Sequence, residues 1–129
     1  MIFIDTSFLI SILIKTDIHH EKALLLSNEI REKKIINNVV LNETLNAFTG
    51  VGGKIGIEMY NFIKEAFEID YLSENDYDDA MQIHLNYDSS INYSDCTILK
   101  SMEKKKISKI ATFDSDFNRV KGLKIIGLE

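Results

Sequence analysis

The stretch Met1-Ile2-Phe3-Ile4-Asp5-Thr6-Ser7 sets the reading of the whole chain. Four apolar residues in a row suit a strand buried on both faces of a parallel sheet. Asp5-Thr6-Ser7 then offers oxygen-bearing side chains to the first N–H groups of a helix running through Phe8, Leu9, Ile12 and Leu13. A buried strand that runs straight into a capped helix is the first half of a βαβ unit.

Downstream the alternation repeats. A second helix is predicted from about His19 to Lys33, with Ala23, Leu26, Ser27 and Ile30 at helical spacing. Ile35 to Val40, rich in β-branched residues, reads as the second strand. A helix follows from Asn42 to about Phe48 and stops at the Gly50, Gly52, Gly53 cluster. Ile55, Met59, Phe62, Ile63, Ala66 and Phe67 form the strongest helical stripe, suited to core or to a dimer surface. Ile69 to Leu72 is the third strand, and Ser73 or Asn75 caps a helix carrying Tyr77, Met81 and Leu85. Asn92 or Ser94 caps another, through Ile98, Leu99 and Met102 into Lys104-Lys105-Lys106, where cations complement the helix dipole. Ile107 to Phe113 and Leu123 to Ile126 are the last strands, with at most a helical turn between them. The expectation is one α/β domain over residues 1–129, a parallel sheet with helices on both faces.

Composition bounds the function. The 129 residues are 45% hydrophobic, too apolar for a disordered chain and about right for one core. One cysteine, Cys96, excludes an internal disulfide framework and a cysteine-only zinc site, and it reads as a small core residue. Fifteen basic against twenty acidic residues give a net charge of −5, which argues against nonspecific affinity for nucleic acid or anionic membrane. The apolar N-terminal run carries Asp5 in its middle and lacks a basic flank, so neither a secretory leader nor a membrane span is expected, and the location expected is cytoplasmic.

The acids carry the chemistry. Ligands of open parallel sheets bind outside the carboxyl ends of the strands. Asp5 follows the first strand, Glu43 lies in the first helical turn after the second, and Asp114 follows the fourth. Right-handed crossovers bring those three to one edge, and Asp95 joins them if its helix begins there. Clustered carboxylates repel and must bind protons or cations; Mg²⁺ or Mn²⁺ suits an all-oxygen set. The plainer reading makes Asp5, Asp95 and Asp114 helix N-caps. Coincidence of all four at strand-to-helix junctions favours a metal site.

At this point a resemblance becomes visible. Met1-Ile2-Phe3-Ile4-Asp5-Thr6-Ser7 resembles the opening of PIN-domain ribonucleases, and Val39-Val40-Leu41-Asn42-Glu43-Thr44-Leu45 is similar to the second acidic segment of that family. Tyr93-Ser94-Asp95-Cys96-Thr97-Ile98-Leu99 resembles the third, and Ile110-Ala111-Thr112-Phe113-Asp114-Ser115-Asp116-Phe117 the fourth. The small size looks like the VapC-type toxins of toxin–antitoxin pairs. The resemblance implies a sheet of order 3-2-1-4-5, Mg²⁺ or Mn²⁺ dependence, hydrolysis of RNA, homodimers and a cognate antitoxin. It implies Asp5, Glu43, Asp95 and Asp114 as the catalytic, metal-holding acids. Asp114 takes the fourth place because it follows Thr112 by two residues, with Asp116 as a cap or outer-sphere ligand. A housekeeping RNA-processing nuclease and a catalytically silent protein-binding module are the alternatives.

Around the acids, Thr6, Ser7 and Thr112 are candidates to orient Asp5 or a bound water. Arg119 and Lys121, just beyond the fourth acid, are the candidate RNA phosphate contacts. Lys104, Lys105, Lys106 and Lys109 read as a solvated face, and His19 and His20 as exposed. A phosphatase of the haloacid dehalogenase type needs a second aspartate where Ser7 stands.

Overall fold

The computed structural model describes residues 1–129. Its elements are β1 (Ile2–Ile4), α1 (Thr6–Leu13), α2 (His20–Glu29), β2 (Lys34–Asn37), α3 (Asn38–Asn46), α4 (Gly53–Ala66) and β3 (Glu68–Asp70). Then come α5 (Glu74–Asn86), α6 (Tyr93–Lys105), β4 (Lys109–Ala111), a 3-10 turn (Ser115–Arg119) and β5 (Lys124–Ile126). All strand pairs are parallel, in the order β3-β2-β1-β4-β5, as expected. The order reverses direction around β1, so β1 and its neighbours β2 and β4 deliver their carboxyl ends to one edge.

Central strands are apolar because both faces are covered. Ile2, Phe3, Ile4, Ile35, Ile36, Ile110 and Ala111 are wholly buried, and Phe8, Leu9, Ile63, Ile98 and Phe117 pack from the helices around them. α1 packs on α2 and α3, and α5 on α6. No helix is long and apolar enough to cross a membrane.

The boundaries depart from the sequence reading where a cap overrides propensity. β2 ends at Asn37, not Val40, because the Asn37 carboxamide accepts the Val40 N–H at 3.0 Å and starts α3 at Asn38. Val39 and Val40, good strand formers, are therefore helical. Glu43 consequently lies in the second turn of α3, not the first. α2 stops at Glu29, not Lys33, since Ile30 leaves the helix with extended backbone to bury itself in the core. β4 is trimmed to Lys109–Ala111, which leaves Asp114 three residues past the strand end.

Two surface expectations are also adjusted. Lys104, Lys105 and Lys106 are exposed as expected, but Lys104 also reaches the nearly buried carboxylates of Asp70 at 2.9 Å and Asp76 at 2.6 Å, and Lys109 pairs with Glu32. His19 and His20 are half-buried; His20 Nδ1 bonds the Ser11 carbonyl at 2.7 Å, and His19 stacks on Phe113.

Candidate active site

Two hydroxyls and a backbone N–H organise the first acid. Asp5 ends β1 and caps α1 through the Thr6 N–H at 2.8 Å. Its other oxygen, Oδ2, accepts from Thr112 Oγ1 at 2.6 Å and from Ser7 Oγ at 2.9 Å. Each of those hydroxyls in turn accepts a backbone N–H from the β4 end: Asp114 N to Thr112 Oγ1 at 2.9 Å, and Phe113 N to Ser7 Oγ at 3.0 Å. One side chain on α1 and one after β4 thus lock the first acid to the backbone of the fourth. Thr6 serves a different acid than expected, donating to Glu43 Oε1 at 3.0 Å and tying α3 to the start of α1.

The plain capping role is real for two of the acids. Asp5 caps α1, and Asp114 accepts the Asp116 N–H at 2.9 Å at the head of the 3-10 turn. Asp95 is different. Asn92 caps α6 through the Asp95 N–H at 2.8 Å, which leaves the Asp95 carboxyl with no capping duty. That residue is 6% exposed, and its Oδ2 is buried with no hydrogen-bond partner. Burial, then the charges of Asp5 and Asp114, push its carboxyl up to about 8, with Glu43 adding to the same effect. Asp5 is raised as well, chiefly by burial and against the pull of its hydroxyl donors.

These four acids therefore share one electrostatic site, at the strand edge where the topology predicts ligands. Asp116 comes closer than the sequence suggested: Asp95, Asp114 and Asp116 each offer an oxygen within 4.8 Å of the others. A buried, orphaned carboxylate oxygen beside further acids fits a hard divalent cation, which replaces the missing partner and relieves the repulsion.

Other sequence candidates fall around this centre. Arg119 lies beyond the fourth acid but is engaged, donating to the Ser90 carbonyl at 2.7 Å and lying 3.8 Å from Asp116; Lys121 is exposed. Cys96 is buried, as expected. His84 Nδ1 stands 3.9 Å from its sulfur but bonds the Ile91 carbonyl at 2.7 Å, so that nitrogen carries a hydrogen and is no base for the thiol. Sequence reading missed Asn37, whose amide, at the end of β2, donates to Ser101 Oγ at 3.1 Å and Thr97 Oγ1 at 3.4 Å, both buried on α6. Its position three residues before Val40, at the end of an apolar run, was the available capping signal.

Known structures share the fold. The structure of VapC20 of Mycobacterium tuberculosis, a sarcin-ricin loop cleaving toxin, is similar at TM-score 0.83 and 22% identity, covering 95% of this chain and 97% of that one. A toxin–antitoxin complex from Klebsiella pneumoniae matches at TM-score 0.75 and 15% identity, over 98% of this chain and 96% of that one. VapBC2 of Rickettsia felis, bound to a DNA fragment from its promoter, matches at 0.72 and 15%, over 98% of both chains. At these identities the likeness is one of fold. No curated protein matches the sequence. The model of the PIN domain family matches residues 2–123, which hold four of the five strands and every acid at the sheet edge, and the chain belongs to that family.

Proposed function

We propose that this protein is a divalent-metal-dependent ribonuclease, the toxin of a toxin–antitoxin pair, with Asp5, Glu43, Asp95 and Asp114 as its catalytic acids and Asp116 beside them. The observation that carries the reading is Asp95: buried, uncapped, with an orphaned oxygen, and raised to about 8 by burial and the neighbouring acids. An unpaired, buried carboxylate oxygen among further acids supports a cation there. The likeness to VapC-type toxin structures supports the toxin assignment, and RNA as the substrate agrees with the sarcin-ricin loop cleaving activity of one of them.

Asp5, Glu43, Asp95 and Asp114 would hold Mg²⁺ or Mn²⁺, which supplies positive charge opposite a phosphodiester oxygen and lowers the pKa of water. The protein's own part is preorganisation. Ser7 and Thr112 hold Asp5 through hydrogen bonds, Thr6 holds Glu43, and the buried Asp95 carboxyl favours its protonated form in the metal-free site. Lys121, exposed beyond the fourth acid, is the proposed phosphate contact, with Arg119 joining it if it leaves the Ser90 carbonyl. A cognate antitoxin, a homodimer and a cytoplasmic location complete the proposal. The open groove of about 610 Å³ lined by Leu45, Phe48, Ile57 and Tyr60 offers apolar surface for a protein partner.

The test combines the purified protein with total RNA in Mg²⁺, in Mn²⁺ and in EDTA, beside Asp95→Asn. Cleavage by the parent in either metal, abolished by EDTA and reduced at least a hundredfold in the variant, is expected. A parent that neither cleaves RNA nor is stabilised by Mn²⁺ would refute the nuclease reading.

A further inference from the structure

Beside the acids a column of three rings runs from the core to the surface. Phe8 of α1 is wholly buried; Phe113 stacks on it with centroids 5.2 Å apart and planes 18° apart. His19, from the loop before α2, stacks on Phe113 at 4.3 Å and 14°. Phe113 and His19 are both half-buried, whereas Phe8 is wholly buried. A ring lying flat on another has one face covered, and what remains of its exposed surface lies on its outer face and edges. Phe113 is the residue between Thr112 and Asp114, and its N–H is held by Ser7. The column is thereby rigidly joined to the candidate site, and His19 stands one ring beyond the residue adjoining Asp114. Asp17 accepts the His19 N–H at 2.9 Å and fixes the loop; next to it Ile18 is 90% exposed.

Charge makes such a surface useful. Four carboxylates repel an incoming phosphodiester; of the cations nearby, Arg119 is bonded to the Ser90 carbonyl at 2.7 Å, and Lys22 lies over the Phe113 ring at 5.9 Å while donating to the Gly127 carbonyl at 3.1 Å. Uncharged contact then adds to the affinity a nucleotide gains from charge. A rigid, partly exposed ring supplies it by stacking, since every base has a flat apolar face.

We infer that the outer face of His19, backed by Phe113 and Phe8, is a stacking subsite for an unpaired nucleobase next to the scissile phosphodiester. This rests on the ribonuclease reading above. The subsite binds a base by its face, so it favours single-stranded or looped RNA without choosing a sequence.

The experiment compares the parent with His19→Ala, His19→Leu and His19→Phe. It measures binding of a fluorescent, mixed-sequence single-stranded RNA in Mg²⁺, kcat and KM for its cleavage in Mn²⁺, and melting temperature with and without Mn²⁺. Expected are a roughly tenfold loss of binding and rise in KM in the Ala and Leu variants, with kcat and the Mn²⁺-induced stabilisation retained, and near-parent values in Phe. Parent-like binding by His19→Ala would overturn the proposal, as would equal rescue by Leu and Phe, which would mean bulk packing alone. A parent that binds the RNA with His19-dependent affinity yet does not cleave it would overturn the nuclease reading and leave the subsite standing. A parent that does not bind it overturns the subsite.

Discussion

The proton on Asp95 makes the site's electrostatics measurable. Its carboxyl sits at about 8 in the fold against an ordinary 3.8, so between those values the unfolded chain has released a proton that the fold keeps. Stability contributed by such a group falls as pH rises through that window. Asp76 and Glu32 act in the opposite sense, with carboxyls lowered in the fold by Lys104 and Lys109; their contribution is complete above about pH 5 and is lost only on acidification. The metal-free melting temperature is therefore expected to decline from about pH 5 to pH 8, with a flatter profile in Asp95→Asn. Because a cation must displace the proton, the Mn²⁺-induced rise should grow over the same interval. Thermal melts across pH, with and without Mn²⁺, check both, and an unchanged slope in the variant would count against the assigned protonation.

At the scale of elements, the acids are only as well placed as the joints between helices and strand ends. Asn37 is one such joint: it caps α3, which carries Glu43, and donates to Ser101 and Thr97 of α6, which carries Asp95. Asn37→Ala removes a cap and leaves buried hydroxyls without their donor, a loss of about 2 kcal/mol. Urea unfolding should show that loss together with weaker Mn²⁺ stabilisation; a normal metal response would confine Asn37 to a local cap. Gly127 is another. It follows β5 with φ +120°, and a Cβ there would lie 2.2 Å from the Thr112 carbonyl oxygen. Only glycine lets the β5 end lie against the residue that holds Asp5. Gly127→Ala must displace one of the two, at a cost of about 2 kcal/mol, and cleavage per folded molecule should drop as Thr112 moves. Calorimetry paired with RNA cleavage reads both effects.

For the whole molecule, the stripe on α4 splits in a way that bears on assembly. Ile63 and Phe67 face the core, whereas Phe62 is 45% exposed and Ile57, which lines the groove, is 63% exposed. Apolar surface of that kind on a small domain favours burial against a partner. The protein alone is expected to be a dimer by light scattering at micromolar concentration, and Phe62→Glu to shift it to monomer. A monomeric parent would leave α4 to a different partner.

Much of this was readable in the chain. Strand–helix alternation, the buried character of Ile2-Phe3-Ile4 and Ile110-Ala111, and the caps at Asp5, Ser73 and Asn92 are local properties, set by side-chain periodicity and by oxygen atoms next to free N–H groups. Parallel strands then determine which ends meet, so the grouping of Asp5, Glu43 and Asp114 at one edge followed from order along the chain. Tertiary structure decided what depends on groups distant in sequence. Val39 and Val40 became helical because Asn37 capped them; Lys104, in an exposed run, gained ion pairs because Asp70 and Asp76, more than twenty-five residues away, offered it two carboxylates. Asp95 acquired its proton and its orphaned oxygen only when folding removed water and brought three other acids near, since a carboxyl's pKa responds to surroundings that no local pattern encodes.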